Sequence, residues 1–308
     1  MAPLGAAKVG LFAAAGSGGM AYAGYFGGGR EGASQVDTVD KFVFSDDSRS
    51  TLSTGLSSAR EYMAGAANSG TAGYFGGGSA TTVDKFAFSG DSRSTLGTGL
   101  SSSRGLLAGM ANSGTAAYMG GGNFYTTIDK FAFSDDSRTT LETGLSEARG
   151  YLSAMANSGT AGYFGGGYES GTGNVDTVDK FDFSDDSRST LGTGLSAARR
   201  RLGAMANSGT AGYVGGGTEG SQVDTIDKFA FSDDSRTTLG TGLSSSRDNL
   251  GAMANSGTAG YFGGGNTGSA VDTVDKFAFS DDSRTTLGTG LSAARQQVTG
   301  MANSETLA

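Results

Sequence analysis

The chain has 308 residues, 56 of them Gly, one Pro and no Cys, His or Trp, with 22 basic against 30 acidic residues for a net charge of −8. The absences exclude zinc-finger and thiolate metal sites, a disulfide framework, and Cys–His or Ser–His nucleophile pairs. The acidic balance argues against sequence-independent nucleic-acid binding, which needs a net basic surface, and no stretch approaches the roughly 18–20 apolar residues of a membrane helix.

In chain order, residues 1–20 stand apart from the remainder of the chain. Residues 9–16 are small and apolar and come after Lys8. They read as a docking arm that packs on another protein or on the rest of the molecule. A cleaved secretory signal is the alternative, with Ala13-Ala14-Ala15 as its small residues, although its charged and apolar parts are both short.

Residues 21–308 form a second region built on one repeated unit. Lys-Phe-x-Phe-Ser starts at Lys41, Lys85, Lys130, Lys180, Lys228 and Lys276, and a Gly triplet starts at Gly27, Gly76, Gly120, Gly165, Gly215 and Gly263. Each Lys lies 35 residues before the next triplet, whereas the distance from triplet to Lys varies from 7 to 13. All length variation therefore sits in one segment. A period of 44 to 50 residues is the signature of a propeller or a solenoid.

The third unit shows how each one divides. Residues 106–111 are small and apolar and read as a first strand, closed by the tight turn Asn112-Ser113-Gly114. Residues 115–122 read as a second strand running into glycines. Residues 127–133 are a third, with Phe131 and Phe133 on one face. After the polar turn Ser134-Asp135-Asp136-Ser137, residues 138–145 are a Thr-rich fourth, and 146–149 connect to the next unit. The region opens on a second strand at residues 21–29 and closes on a first strand at 297–304. The expectation is that the C-terminal strand pairs with the three N-terminal strands, because an open array leaves strand edges unpaired. Residues 10–17 loosely imitate a first strand and are the rival partner.

The Gly triplets, the Phe pairs such as Phe42/Phe44, and an Arg ahead of each first strand (Arg60, Arg104, Arg149, Arg199, Arg247 and Arg295) together resemble kelch repeats. The resemblance covers about residues 21 to 304. It implies an all-β, six-bladed kelch-like β-propeller, four antiparallel strands per blade, with the ring closed by the C-terminal strand. The sequence departs from the kelch pattern in lacking the Trp of the fourth strand; Leu52 and its five counterparts stand nearby instead.

Packing supplies the first reading of most motifs. Met110, Met155, Met205, Met253 and Met301 recur at one first-strand position and read as contacts between units, with a Met-lined channel as the alternative. Asp-Asp-Ser-Arg (Asp46, Asp135, Asp185, Asp233 and Asp281) reads as a turn, with a calcium site as the alternative. Each Asp-Lys pair, as at Asp40-Lys41, reads as a source of structural salt bridges between units. The six repeat Arg would ring a channel mouth in a closed array. They read first as donors to backbone carbonyls and second as a site for an anion or a carboxylated glycan. Arg199-Arg200-Arg201 is the single basic cluster and reads as a solvated connector.

Ligand contacts are expected mainly in the segments of variable length, since function concentrates in loops on a rigid scaffold. Their candidates are Arg30, Glu31, Phe124, Tyr125, Tyr168, Glu169 and Glu219. Aromatics beside polar residues are how sugars and peptides are held, a flat apolar face supplemented by hydrogen bonds. Capping of neighbouring units is the competing role.

The expected function is that of a non-catalytic binding or structural propeller without a cofactor. The near-identical, glycine-rich units resemble repetitive proteins of environmental bacteria and their phages, which implies a virion or extracellular location. Partners are then other proteins of an assembly, reached through residues 1–20, or surface glycans. A lectin-like adhesin is the first alternative. An enzyme is the second: kelch-type oxidases use His and Cys-type groups that are missing here, and sialidase-type chemistry needs one chemically distinct site, whereas these units are nearly equal. A trimeric β-prism or fibre is the third.

Overall fold

The computed structural model describes residues 22–304, so the expectations for residues 1–20 lie outside the described residues. These residues are all-β. Six sheets have four antiparallel strands; a two-stranded and a three-stranded sheet complete the set. Sheet one joins Thr299–Asn303, Ala23–Gly27, Val39–Val43 and Ser48–Thr51. Sheet two joins Met63–Asn68, Ala72–Gly77, Val83–Ala87 and Ser92–Thr95. Sheet three comes next with Ala108–Asn112, Ala116–Gly120, Ile128–Ala132 and Arg138–Thr140. Sheets four, five and six start at Ser153–Asn157, Gly203–Asn207 and Gly251–Asn255 and repeat the same order.

The last strand pairs with the first of the described chain, with Ala23 opposite Asn303 and Gly27 opposite Thr299. The first strand of each sheet lies against that of the next, and Thr299–Asn303 touches both Gly251–Asn255 and Met63–Asn68.

The strands are shorter than the sequence pattern predicts. In sheet three the first begins at Ala108 rather than 106, because Leu106 holds φ +62° and cannot join a pleated strand. The second ends at Gly120, where Gly121 and Gly122 turn to φ +68° and +81°. The fourth ends at Thr140. In the Asn-Ser-Gly turns the left-handed residue is the Gly, as at Gly114 with φ +80°, and Thr115 N–H donates to Asn112 O at 2.9 Å. Gly in third position is what a type II turn requires.

Between sheets, large groups of one fill gaps left by Gly in the next. A Cβ added to Gly162 would lie 2.2 Å from Met110 Sδ, and one added to Gly24 would lie 2.1 Å from Met253 Sδ. The recurring Met residues are thus buried between sheets. In return, Phe164 occupies the space at Gly120, and Phe26 that at Gly263. One interface differs in a matched way: Ala66 replaces the Met, and Ala117 replaces the Gly that would face it. The Leu residues that stand near the kelch Trp position, such as Leu96 and Leu141, pack half-buried against the same clusters.

Tyr residues tie the sheets further out. Tyr118 stacks on Phe183 of the next sheet at 5.1 Å, and its hydroxyl donates to Asp186 Oδ1 at 2.8 Å. Lys130 reaches the same carboxylate at 2.7 Å and sits over the Tyr118 ring. The arrangement recurs from sheet six to sheet one, where Tyr261 stacks on Phe44 and Tyr261 and Lys276 share Asp47.

Candidate functional site

The two ends of the sheets differ in chemistry. The turn end carries the five Asn-Ser-Gly turns and Ser304 around a cavity of about 450 Å³. Its serines are held in register: Ser113 N–H donates to Ser158 Oγ at 2.9 Å and Ser158 N–H to Ser208 Oγ at 3.0 Å. Its lining is uncharged and nearly the same in every unit. The Asp-Ser turns also lie at this end. In five of them the first Asp caps its own turn, as Asp135 accepts Ser137 N–H at 3.0 Å, with Gly90 in its place in the sixth, and the second Asp binds the Lys and Tyr of the preceding sheet, as Asp136 does with Lys85 and Tyr74. These carboxylates therefore serve the turns and the interfaces between sheets.

The loop end carries the segments of variable length and the connectors between units, joined by bridges such as Tyr125 to Arg149 and Arg200 to Thr218. Two of the loops form small sheets of their own. Arg30–Glu31 pairs with Ser34–Gln35, and Arg149–Gly150, Tyr168–Glu169 and Gly173–Asn174 make a three-stranded one.

The six repeat Arg are buried at this end. Arg104 donates to Gly121 O at 2.9 Å, to Thr127 O at 2.8 Å and to Asp129 Oδ2. Asp129 also accepts Ser101 N–H at 2.9 Å and Thr140 Oγ1–H at 2.7 Å. Arg60, Arg149, Arg199 and Arg295 repeat the pattern with Asp84, Asp179, Asp227 and Asp40. Arg247 meets Asp275 at 3.0 Å but turns a nitrogen to Phe262 O. Burial lowers the pKa of each Arg and the neighbouring Asp opposes that effect. Charges matched in this way are unavailable to a solute. The carbonyl contacts match the first sequence reading; the Asp partner was missed, because it lies 24 to 30 residues further along the chain in five of the units.

The loop candidates divide. Phe124 and Tyr168, from adjacent units, meet edge to face at 6.0 Å. Arg200 lies over the Tyr168 ring at 4.8 Å. Tyr125 and Glu169 both pair with the Arg149 backbone, which brings them to the same patch. Phe124 is 37% exposed and Tyr125 50%, so two of the three exposed large apolar residues among the described residues stand together here. Arg30 turns to its own loop, with bonds to Ala33 O, and to Glu61 at 3.7 Å; Glu31 is exposed in that same loop and Glu219 in another. The Arg199-Arg200-Arg201 cluster, read as a solvated connector, is instead divided among three environments: Arg199 is buried on Asp227, Arg200 stacks on Tyr168, and Arg201 lies over Tyr151.

Sequence reasoning missed a second set at this end. The residue two places after each repeat Arg (Tyr62, Leu106, Tyr151, Arg201, Asn249 and Gln297) holds φ between +55° and +62°. Each donates its N–H to the carbonyl of the preceding member: Leu106 to Tyr62 at 3.0 Å, Tyr151 to Leu106 at 2.8 Å, Arg201 to Tyr151 at 2.8 Å, Asn249 to Arg201 at 2.9 Å, Gln297 to Asn249 at 2.6 Å, and Tyr62 to Gln297 at 3.4 Å. The six surround a cavity of about 80 Å³. Tyr62 and Tyr151 meet edge to face at 5.4 Å, and Gln297 Nε2 donates to the Tyr62 hydroxyl at 2.7 Å. Burial pushes the Tyr62 hydroxyl up to about 12, with help from nearby negative charge. For Arg201, burial is the largest influence and opposes the charge, but the Asp248 hydrogen bond at 3.2 Å, the negative charges of Tyr62 and Asp248 and a hydrogen bond to Tyr151 together outweigh it and raise the pKa. The signal was present in the sequence: outside the segments of variable length, the dipeptide after each Arg is where otherwise near-identical units differ markedly.

No protein-family model and no curated protein matches this chain, so the site rests on its own geometry.

Proposed function

We propose that the six four-stranded sheets are blades of a closed, kelch-like β-propeller that acts as a non-catalytic binding scaffold in a virion or a secreted surface assembly. Closure is supported by the pairing of Ala23–Gly27 with Thr299–Asn303, and by sheet-six contacts to sheet one that repeat those elsewhere. The observation that carries the binding role is the asymmetry of the two ends. The turn end is nearly uniform, whereas the chemically distinct side chains gather at the loop end. Tyr22 and Ser304 lie at the turn end.

A lectin-like reading of the loop end is favoured by one feature. Phe124, Tyr125 and Tyr168 offer aromatic surface, and Arg200 stands over Tyr168. Sugars stack on such surfaces through their C–H faces while donors take up the hydroxyls. A glycan array tests it. Saturable binding weakened at least tenfold by Phe124→Ala and by Tyr168→Ala is the expected result. If no glycan binds, and if deletion of residues 1–20 abolishes association with other proteins of the source particle, the role is assembly instead.

A further inference from the structure

Among the described residues, every cationic side chain but one is answered by a protein oxygen. The Lys and most of the Arg form ion pairs with Asp or Glu. Arg188 and Arg284, which do not, donate to the carbonyls of Gly144 and Gly242 at 2.9 and 2.7 Å. Arg200 has neither an ion pair nor a side-chain hydrogen bond; its guanidinium lies over the Tyr168 ring at 4.8 Å, and its Nε is buried without a partner. Stacking occupies the face of a guanidinium and leaves the N–H groups in its plane. With Nε buried, the fork left to bind is the pair Nη1 and Nη2.

This cation is held in place by its surroundings. Arg200 N–H donates to Thr218 O at 3.3 Å, and its carbonyl accepts Thr218 N–H at 3.0 Å. Asn174, opposite Tyr168 in the small sheet, donates Nδ2 to the same Thr218 O at 3.0 Å. A fork fixed in this way loses little freedom on binding.

The neighbouring carboxylates are engaged elsewhere. Glu169 follows Tyr168 in a strand and so points to the opposite face of it. Glu147 and Glu169 act on the buried Arg149, and Glu219 acts on the buried Arg199. The flanking cations Arg199 and Arg201 are matched by Asp227 and Asp248, which leaves a single positive charge. The net charge of −8 opposes an anion weakly at physiological salt, where exposed charges beyond about 8 Å are screened.

One unanswered guanidinium thus stands beside the exposed rings of Phe124 and Tyr125. Building on the lectin-like reading, we propose that this patch selects glycans that carry a carboxylate, clasped by Nη1 and Nη2 of Arg200 while the sugar ring lies on Phe124 and Tyr125. Guanidinium and carboxylate match through two parallel N–H···O bonds. A lone Arg also suits a group of one charge better than a phosphate of two.

The test is a glycan array, at physiological salt, of glucuronic- and sialic-acid glycans beside their carboxyl-reduced and sulfated counterparts. The acidic members should bind about tenfold more tightly than the reduced ones, the scale of one charged hydrogen bond. Arg200→Gln should remove that preference with an unchanged melting temperature, because Gln296 already holds the equivalent position and pairs its backbone in the same way with Arg30. Equal binding of acidic and reduced glycans overturns this proposal and leaves the lectin-like reading intact; no glycan binding at all overturns both. A preference that survives Arg200→Gln, equal or tighter binding of the sulfated forms, or displacement of the acidic glycan by a hexaglutamate peptide at matched concentration also overturns it.

Discussion

A buried guanidinium depends on what surrounds it, and Arg104 has two carbonyls and one carboxylate, the latter fixed in turn by Ser101 and Thr140. Removing one partner leaves the other charge uncompensated, which typically costs about 3–5 kcal/mol. Arg104→Met should lower unfolding stability by that order in urea titrations; a loss below about 1 kcal/mol would show that Asp129 is solvated. Titration provides a second check at this scale. The six interface tyrosines, such as Tyr118, are raised above the ordinary Tyr value by burial and by the hydrogen bond to Asp. Unfolded Tyr ionises near pH ~10. A raised native value means that their stabilisation is complete below that pH and is lost as pH rises further. Phenolate absorbance for these six should therefore appear together with unfolding, and ionisation at ordinary pH in an intact fold would contradict their burial. Asp227 works in the opposite direction. Burial alone would raise it, but hydrogen bonds from Ser196 and Thr238 and the charge of Arg199 hold it below the ordinary Asp value. Its contribution is present above that value and is lost as pH falls through the native one.

Between elements, stability depends on volumes matched from sheet to sheet. Met110 against Gly162 is the common form, and Ala66 against Ala117 is the exception that fits the same rule. Overpacking a filled core costs about 1–3 kcal/mol. Ala66→Met alone should destabilise by that order, and adding Ala117→Gly should recover most of it. A double-mutant cycle measures the coupling, and additive losses would mean that the two positions do not share one space. The substitution of both members in the same interface was legible in the sequence once the units were aligned. Which Gly faced which Met was not, because the partner lies in the next unit and is chosen by how sheets stack.

At the scale of the molecule, pairing of the last described strand with Ala23–Gly27 makes one sheet from both ends of the described chain. A variant ending before Thr299 loses that strand, exposes the edge of Ala23–Gly27 and removes Met301 from the space at Gly73. Its melting should be broad or at markedly lower temperature, with aggregation through the open edge. A sharp, unshifted transition would argue that the sheets are stable without it.

The sequence by itself determined the repeated unit, its four strands, the turns between them and the segment that varies in length, because alternation, Gly-bearing turns and a fixed spacing are local properties of a chain. It also placed Phe124, Tyr125 and Tyr168 in the variable loops. Tertiary structure alone decided which of these meet, that the six repeat Arg face buried Asp partners, and that Tyr62, Arg201, Asn249 and Gln297 converge on one mouth. Those outcomes depend on how sheets pack side by side, which brings together side chains tens to hundreds of residues apart, and no local pattern encodes that distance.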